Sequence, residues 1–595
     1  MITKSFFYVT SCSAAIGLLL RRTLQGSVLY AANKQTRYFF LFTFLCISYG
    51  KSLQAQLLKT QHKFTKADTL RGSLNANRTW WNVLHYNIEV KPHFTTKEIE
   101  GRVDIRIIAV KAGKQLQIDL QQPLQIDSII DYENKTKLLY QQTENTTIVI
   151  LPKFYVANSK HTLQIYYHGK PREAKRAPWD GGWIWKTDAK GRPWMSVAVQ
   201  GLGASAWYPC KDHQSDEPDS GATLTMIVPD TLMAVANGKL IQTQKLASSN
   251  LQSFTWRVKN PINNYCIVPY IGAYTHFSDT LHGEKGILQL NYYVLDYNLE
   301  KAKTQFTQAK TMLHCFEYWF GAYPFYEDDY KLVESPHLGM EHQSAIAYGN
   351  GFKNGYLGRD LSGTGWGLKW DFIIVHESGH EWFANNITTN DIADMWVHEG
   401  FTNYSETLYT EWLYGKEAGY DYCAGIRKNI RNDEPIIGTY GVNKEGSGDM
   451  YYKAANMIHN IRNVLSNDVL FRKILRGLNA RFYHKTTTTT EVENYISQQT
   501  GISFQQTFNQ YLRTTQIPEL QYFIDTTNQK LTIKWANCIP QFNMPITISS
   551  TKKRIDVTTT FTTFQLNNAE FAWFNKKNIE RNYYLQTKPL SSQPQ

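Results

Sequence analysis

Charge is scarce in this chain: 19% of its 595 residues are charged, and no dense block of lysine and arginine occurs in it. Nucleic-acid binding needs such a stripe, so nucleic acid is excluded as the main partner. Cysteine is sparse too. Of seven, two fall in the first 50 residues, and Cys210, Cys266, Cys315, Cys423 and Cys538 are widely spaced and odd in number, which excludes a disulfide framework or a cysteine-type zinc site. No apolar run reaches the roughly 20 residues that span a bilayer, and there is no internal repeat. Acidic residues are missing altogether from positions 1–55, where six basic ones (Lys4, Arg21, Arg22, Lys34, Arg37, Lys51) supply half of the formal charge of +12.

That acid-free segment reads as an address. Lys34 and Arg37 precede a twelve-residue apolar run, Tyr38 to Tyr49, and Ala55 is a small residue before Gln56, although Leu53 occupies a position where a small side chain is preferred. A secretory signal peptide over residues 1–55, cleaved at Ala55/Gln56, is expected, with a periplasmic or secreted mature protein. A second apolar run, Phe6 to Leu20, fits an over-long gene start. The alternatives are a lipid anchor at Cys46 or a membrane anchor made from one or both runs; membrane association follows only if the segment is retained.

What the chain has in quantity is core material, 42% hydrophobic and 14% aromatic residues, and the expectation is a multidomain protein. Short alternating runs such as His85–Val90, Arg102–Ile108, Thr147–Leu151 and Phe254–Val258 predict an all-β N-terminal domain over 56–285. The period then becomes helical: Ala302, Phe306, Ala309, Met312, Leu313, Phe316 and Phe320 share a stripe closed by Gly321. Helices predominate to about Leu512, one of them opened by a capping box of Thr490 with Glu493. Residues 286–517 are expected to be an α+β catalytic domain. Strands return at Leu531–Trp535, Pro545–Ile548 and Ile555–Thr558, predicting a small C-terminal β domain, a β-sandwich, over 518–595.

The chemistry sits in Asp371-Phe-Ile-Ile-Val-His376-Glu377-Ser-Gly-His380. Histidines four apart share one helix face, so both imidazoles reach one metal ion while Glu377 stands beside the water to be activated. Imidazole and carboxylate donors suit zinc, and a hydrolytic site takes three protein ligands with a fourth position open. Glu399, 19 residues beyond His380 in Trp396-Val-His398-Glu399-Gly-Phe, supplies the third. His398, next to it on a helix, faces another way. Glu381 and Glu406 read as solvated or outer carboxylates.

This arrangement resembles the M1 aminopeptidases, the group of aminopeptidase N and leukotriene A4 hydrolase. Leu338-Gly339-Met340-Glu341-His342 is similar to the family's Gly-x-Met-Glu-Asn motif, Tyr451-Tyr-Lys453-Ala454 to its Tyr-x-Lys-Gly segment, and Trp207-Tyr-Pro-Cys210-Lys-Asp212 to a marker of its N-terminal β domain. The resemblance covers roughly residues 80 to 520. It implies a thermolysin-like catalytic domain with one zinc ion per chain, peptide substrates with a free N-terminus, and these roles: Glu377 as general base, Tyr451 as donor to the oxyanion, Glu341 as ligand of the substrate's ammonium, Gly339 and Met340 in the strand along the substrate.

Departures carry expectations of their own. Leu338 and His342 replace Gly and Asn, which shifts the substrate strand and adds a titratable group near the amine. Ala454 replaces Gly. Leu202 occupies the position of a second amine-binding residue two after Gln200, so amine recognition rests mainly on Glu341. The roughly 75 residues after Leu520 cannot build the helical domain that roofs many relatives, which predicts a cleft open to long peptides. A zinc endopeptidase, an epoxide-opening enzyme on the same metal face and a catalytically silent peptide-binding protein are the rival readings.

Overall fold

The computed structural model describes residues 63–594 apart from Ser248; the expected targeting segment, 1–55, lies outside them. Two short helices, Lys66–Gly72 and Ala76–Thr79, lead into an eight-stranded sheet ordered Lys239–Lys245, Leu251–Val258, Ala222–Pro229, Trp81–His93, Glu98–Ala109, Lys160–Gly169, Gln125–Asp131, Thr136–Lys137. Its pairs are antiparallel except Trp81–His93 with Ala222–Pro229. Period-two burial drives it: Tyr86 lies opposite Ile105 and Ile88 opposite Val103, all four inside. A register shift between Val83 and His85 lets Val83 also face inward.

A five-stranded sheet joins this β region to the helices, in the order Tyr274–Gly283, Gly286–Leu295, Tyr330–Glu334, Ile346–Tyr348, Gly339–Met340. The boundary expected at 285/286 falls at the turn of its first hairpin. Its two faces feed different cores. Leu290, Leu332, Ile346 and Tyr348 pack with the helices, while Tyr293, Val333, Met340 and Ala347 pack with the N-terminal strands. The strand Gly339–Met340 is therefore an edge clamped between two apolar cores.

The helices that matter for the site are α1 (Gln308–Phe320), α2 (Phe372–Gly379), α3 (Trp396–Tyr414), α4 (Tyr452–Leu465) and α5 (Asp468–Arg481). The stripe from Ala302 to Phe320 is buried in one cluster, although a break at Phe306 divides it between Leu299–Gln305 and α1. The capping box expected at Thr490 and Glu493 is formed two residues earlier: Thr488 caps Thr489–Thr500 with Glu491. The Thr run offers both registers, and Glu493 is instead taken by Arg513 at 2.6 Å. The C-terminal part holds a four-stranded sheet and a two-stranded ribbon, plus two short helices not anticipated, Asn568–Trp573 and Lys576–Asn582, each capped by an asparagine. Among the described residues no helix is long and apolar enough to cross a membrane.

Candidate metal centre

Asp371 starts α2 by accepting the N–H groups of Ile373 and Ile374 on one carboxylate oxygen. The apolar Ile373, Ile374 and Val375 sink the helix into the core, and His376 and His380 then project from one face, their rings 5.0 Å apart. Glu399 enters from the first turn of α3, where the helix N-terminus favours an anion. Gly379 permits this crossing, since a Cβ there would lie 2.7 Å from Ser405 Oγ on α3. The donor atoms of His376, His380 and Glu399 lie within 4.8 Å of one another, and no other such group occurs among the described residues.

The surroundings leave those donors free for a metal. His376 Nδ1 is 2.7 Å from Glu406 Oε1 and His380 Nδ1 donates to the Phe383 carbonyl at 3.1 Å, which turns both Nε2 lone pairs to the same point. Glu406 is itself held by Asn403 and Tyr422. Glu399 Oε2 stands 3.6 Å from His376 Nε2 and 3.4 Å from His380 Nε2, too far for good hydrogen bonds, and it is a buried oxygen with no hydrogen-bond partner. Burial opposes its charge, yet His380 and His376 outweigh that and hold the carboxyl below the usual range. Three donors around an unsatisfied buried oxygen, two imidazoles and one carboxylate, fit a zinc ion with an open fourth position.

A cavity of about 970 Å³ opens on this point and is lined by Glu377, Gly339, Met340, Glu341, Gln200 and Tyr451 among others. Burial pushes the Glu377 carboxyl up to about 7 against the lowering influence of His376 and His380. The strand passes so close that a Cβ on Gly339 would meet Glu377 Oε1 at 2.6 Å; glycine is required there. Glu341 is buried, and Gln200 Nε2 (2.6 Å) and Tyr265 Oη (2.8 Å) both donate to its Oε1, leaving Oε2 for a ligand. Tyr451 caps the start of α4 with its ring 6.0 Å from that of His376. The neighbouring Tyr452 also lines the cavity, on the side of Tyr356.

One expectation changes, and two open readings are decided. His342 adds no titratable group to the cleft: it is fully buried beside Tyr270, and burial holds it well below its ordinary pKa. Glu381 is not solvated but accepts Ser344 N–H at 2.8 Å inside the protein, tying the end of the metal-binding segment to the substrate strand. Glu406 is the outer carboxylate of its two expected readings: it orients His376 from two turns after Glu399 on the same face of α3. His398 does face away, accepting Thr389 N–H at 2.9 Å. Tyr265 carried no local signal.

The model of the peptidase M1 N-terminal domain matches residues 82–266, and that of the peptidase family M1 domain matches 304–511. The chain belongs to peptidase family M1. Puromycin-sensitive aminopeptidase of Caenorhabditis elegans is 21% identical over 508 residues, 80% of this chain and 52% of that protein. Leukotriene A-4 hydrolase of Xenopus laevis is 23% identical over 335 residues, 53% and 51% of the respective chains. The chain thus spans about half the length of these M1 relatives. Among solved structures, the M1 zinc metallopeptidase of Deinococcus radiodurans superposes with a TM-score of 0.62 at 20% identity, covering 74% of this chain and 95% of that one. A mutant of it bound to a Tyr-Ser-Ala substrate gives 0.60 at 20%, covering 73% and 95%. The two family-model matches span Gln200, Tyr265, Glu341, His376, His380, Glu399 and Tyr451.

Proposed function

We propose that this chain is a zinc-dependent aminopeptidase, with one zinc ion per chain on His376, His380 and Glu399. The observation that carries the reading is that this donor triad and the buried Glu341 line one cavity. A carboxylate buried beside a hydrolytic centre, with one oxygen saturated by Gln200 and Tyr265, is a receptor for an ammonium group, and a receptor for ammonium next to the scissile bond selects free amino ends. The aminopeptidases among its relatives support the same reading.

Zinc, when bound, supplies a Lewis acid that polarises a carbonyl and makes water a stronger acid. Glu377, raised toward neutrality by burial, takes a proton from the attacking water and returns it to the leaving amine. Tyr451, kept protonated far above its ordinary pKa by burial and then by the Glu399 charge, donates a hydrogen bond to the oxyanion as it forms, an effect worth about 3 kcal/mol in comparable sites. Gly339 and Met340, on an edge strand, offer backbone to an extended peptide. Residues 1–55 direct secretion or export to the periplasm, and membrane association arises only where that segment is kept.

The test is a panel of aminoacyl fluorogenic amides, each with its N-acetylated twin, before and after chelation and zinc restoration. Cleavage of the free-amine set alone, lost on chelation and in Glu377→Gln, is the expected result. Equal cleavage of the acetylated set overturns the role of Glu341 and leaves an endopeptidase, and silence throughout leaves a peptide-binding protein.

A further inference from the structure

Charge in the cavity is divided. Its centre holds Glu341, Glu377 and Glu399, whereas Arg71, Arg172, Arg431 and Lys444 also line it, and none of these four forms an ion pair among the described residues. Other arginines are committed to carboxylates: Arg462 to Glu411 and Asp468, Arg192 to Asp188 and Asp296, Arg581 to Glu417 and Asp421.

We infer that Arg71, with Arg172 and Lys444 nearby, forms a second recognition site in the cavity that takes a carboxylate of the peptide substrate. The inference rests on the aminopeptidase reading and names the class of peptide it favours. Arg71 is firmly placed. Its Nη2 donates to the Gly201 carbonyl at 2.7 Å, and its Nε is buried without a partner. Its own carbonyl accepts from the buried Arg78 at 2.8 Å, which also pairs with Asp119. The helix Lys66–Gly72 that carries it abuts the chain at 442–443, where a Cβ on Gly72 would lie 2.2 Å from Asn443 N. Asn443 Nδ2 reaches the same Gly201 carbonyl at 3.0 Å, and Lys444 follows it.

The two receptors are linked through neighbouring residues: Arg71 holds the Gly201 carbonyl, and Gly201 comes directly after Gln200, whose side chain holds Glu341. Leu202 adds no charge and backs onto Gly181, whose Cβ would meet Leu202 Cβ at 2.7 Å. Arg172 donates to the Asp180 carbonyl at 3.0 Å, on a turn whose Asp180 carboxylate accepts the N–H groups of Lys175 and Arg176 and also feels the Arg172 charge. Beyond the centre, Asp180 and Glu445 also line the cavity, and Asp212 Oδ2 and Arg71 Nη2 both stand against Gly203, whose Cβ would meet them at 2.2 and 2.7 Å.

A guanidinium with unused donors in a partly dehydrated wall binds carboxylate strongly and with directional preference. Two carboxylates of a peptide could reach it: the side chain of an N-terminal aspartate or glutamate, or the C-terminal carboxylate of a short peptide. A cavity of about 970 Å³ lies at the upper end of the roughly 300–1,000 Å³ usual for small-ligand sites, which suits a short peptide held whole.

The experiment measures kcat/KM of the zinc-loaded full chain on two matched pairs, Ala-Ala-Ala against its C-terminal amide and Glu-Ala-Ala amide against Gln-Ala-Ala amide. A preference of about tenfold, the factor one modest ion pair supplies, is expected for the carboxylate-bearing member of at least one pair, and that pair identifies the source. The ratio should fall toward one in Arg71→Met, survive in Arg71→Lys and shrink in high salt. The salt series on the unmodified enzyme and Arg172→Met serve where Arg71→Met does not fold. Equal rates within both pairs, with brisk turnover of the neutral amides, overturn the carboxylate site and leave the peptidase reading standing. Turnover of no peptide at all overturns both.

Discussion

Glu406 never reaches the metal position, yet it decides which nitrogen of His376 does, and that is a property of one hydrogen bond 2.7 Å long. Glu406→Ala is expected to weaken zinc binding by about 10–100-fold, measured by competition with a chelator, with helix content unchanged; an unaltered affinity would show that packing alone orients the ring. His337 illustrates the opposite case, a histidine with no role in the chemistry. It is buried with both ring nitrogens unpartnered, and burial lowers its pKa to about 3. Between pH 6.5 and 3 the unfolded chain binds a proton there that the folded chain refuses, so folding stability falls as the pH falls, by up to about 1.4 kcal/mol per pH unit from this group. In the metal-free protein, His337→Gln should flatten the pH slope of urea midpoints below pH 6.5. Parallel slopes for the two proteins would contradict the assignment.

At the scale of elements, the site is a crossing of α2 and α3 beside an edge strand. Alanine is a better helix former than glycine by about 1 kcal/mol, yet Gly379→Ala is expected to destabilise by about 1–3 kcal/mol because its Cβ meets Ser405 Oγ at 2.7 Å and Thr402 Cγ2 at 3.1 Å. Equilibrium unfolding together with zinc affinity checks this: both should drop, because Glu399 retreats with α3. A variant as stable as the parent would mean that the helices part without cost.

For the whole molecule, the C-terminal part behaves as a wall of the catalytic core. Leu531, Ile533, Trp535, Ile546 and Ile548 belong to the same apolar cluster as Ile458, Ile461 and Val464 of α4. Thr547 Oγ1 donates to the Val464 carbonyl at 2.7 Å and Tyr584 N–H to Asn460 at 2.8 Å. A chain ended at Pro518 would expose that face of α4, the helix that Tyr451 caps. It is expected to aggregate or to lose zinc binding, as read by size-exclusion chromatography with metal analysis. A soluble, zinc-loaded fragment that unfolds cooperatively would show the module to be separable.

The sequence by itself determined whatever depends on short-range geometry. Histidines four apart share a helix face wherever the helix lies, and alternating strands such as His85–Val90 declare a buried side before any partner is known. Glu399 was legible because its spacing from His380 suits a second helix. Only the tertiary structure decided what depends on the path of distant backbone. It put Arg71 and Gln200 in the cavity wall and Tyr265 against Glu341, from segments far from the metal ligands in the chain, and it turned His342 into the core although Glu341 beside it faces the cleft. Both residues follow the strand Gly339–Met340, and which of them meets substrate is settled by the two cores that clamp that strand, not by the motif it carries.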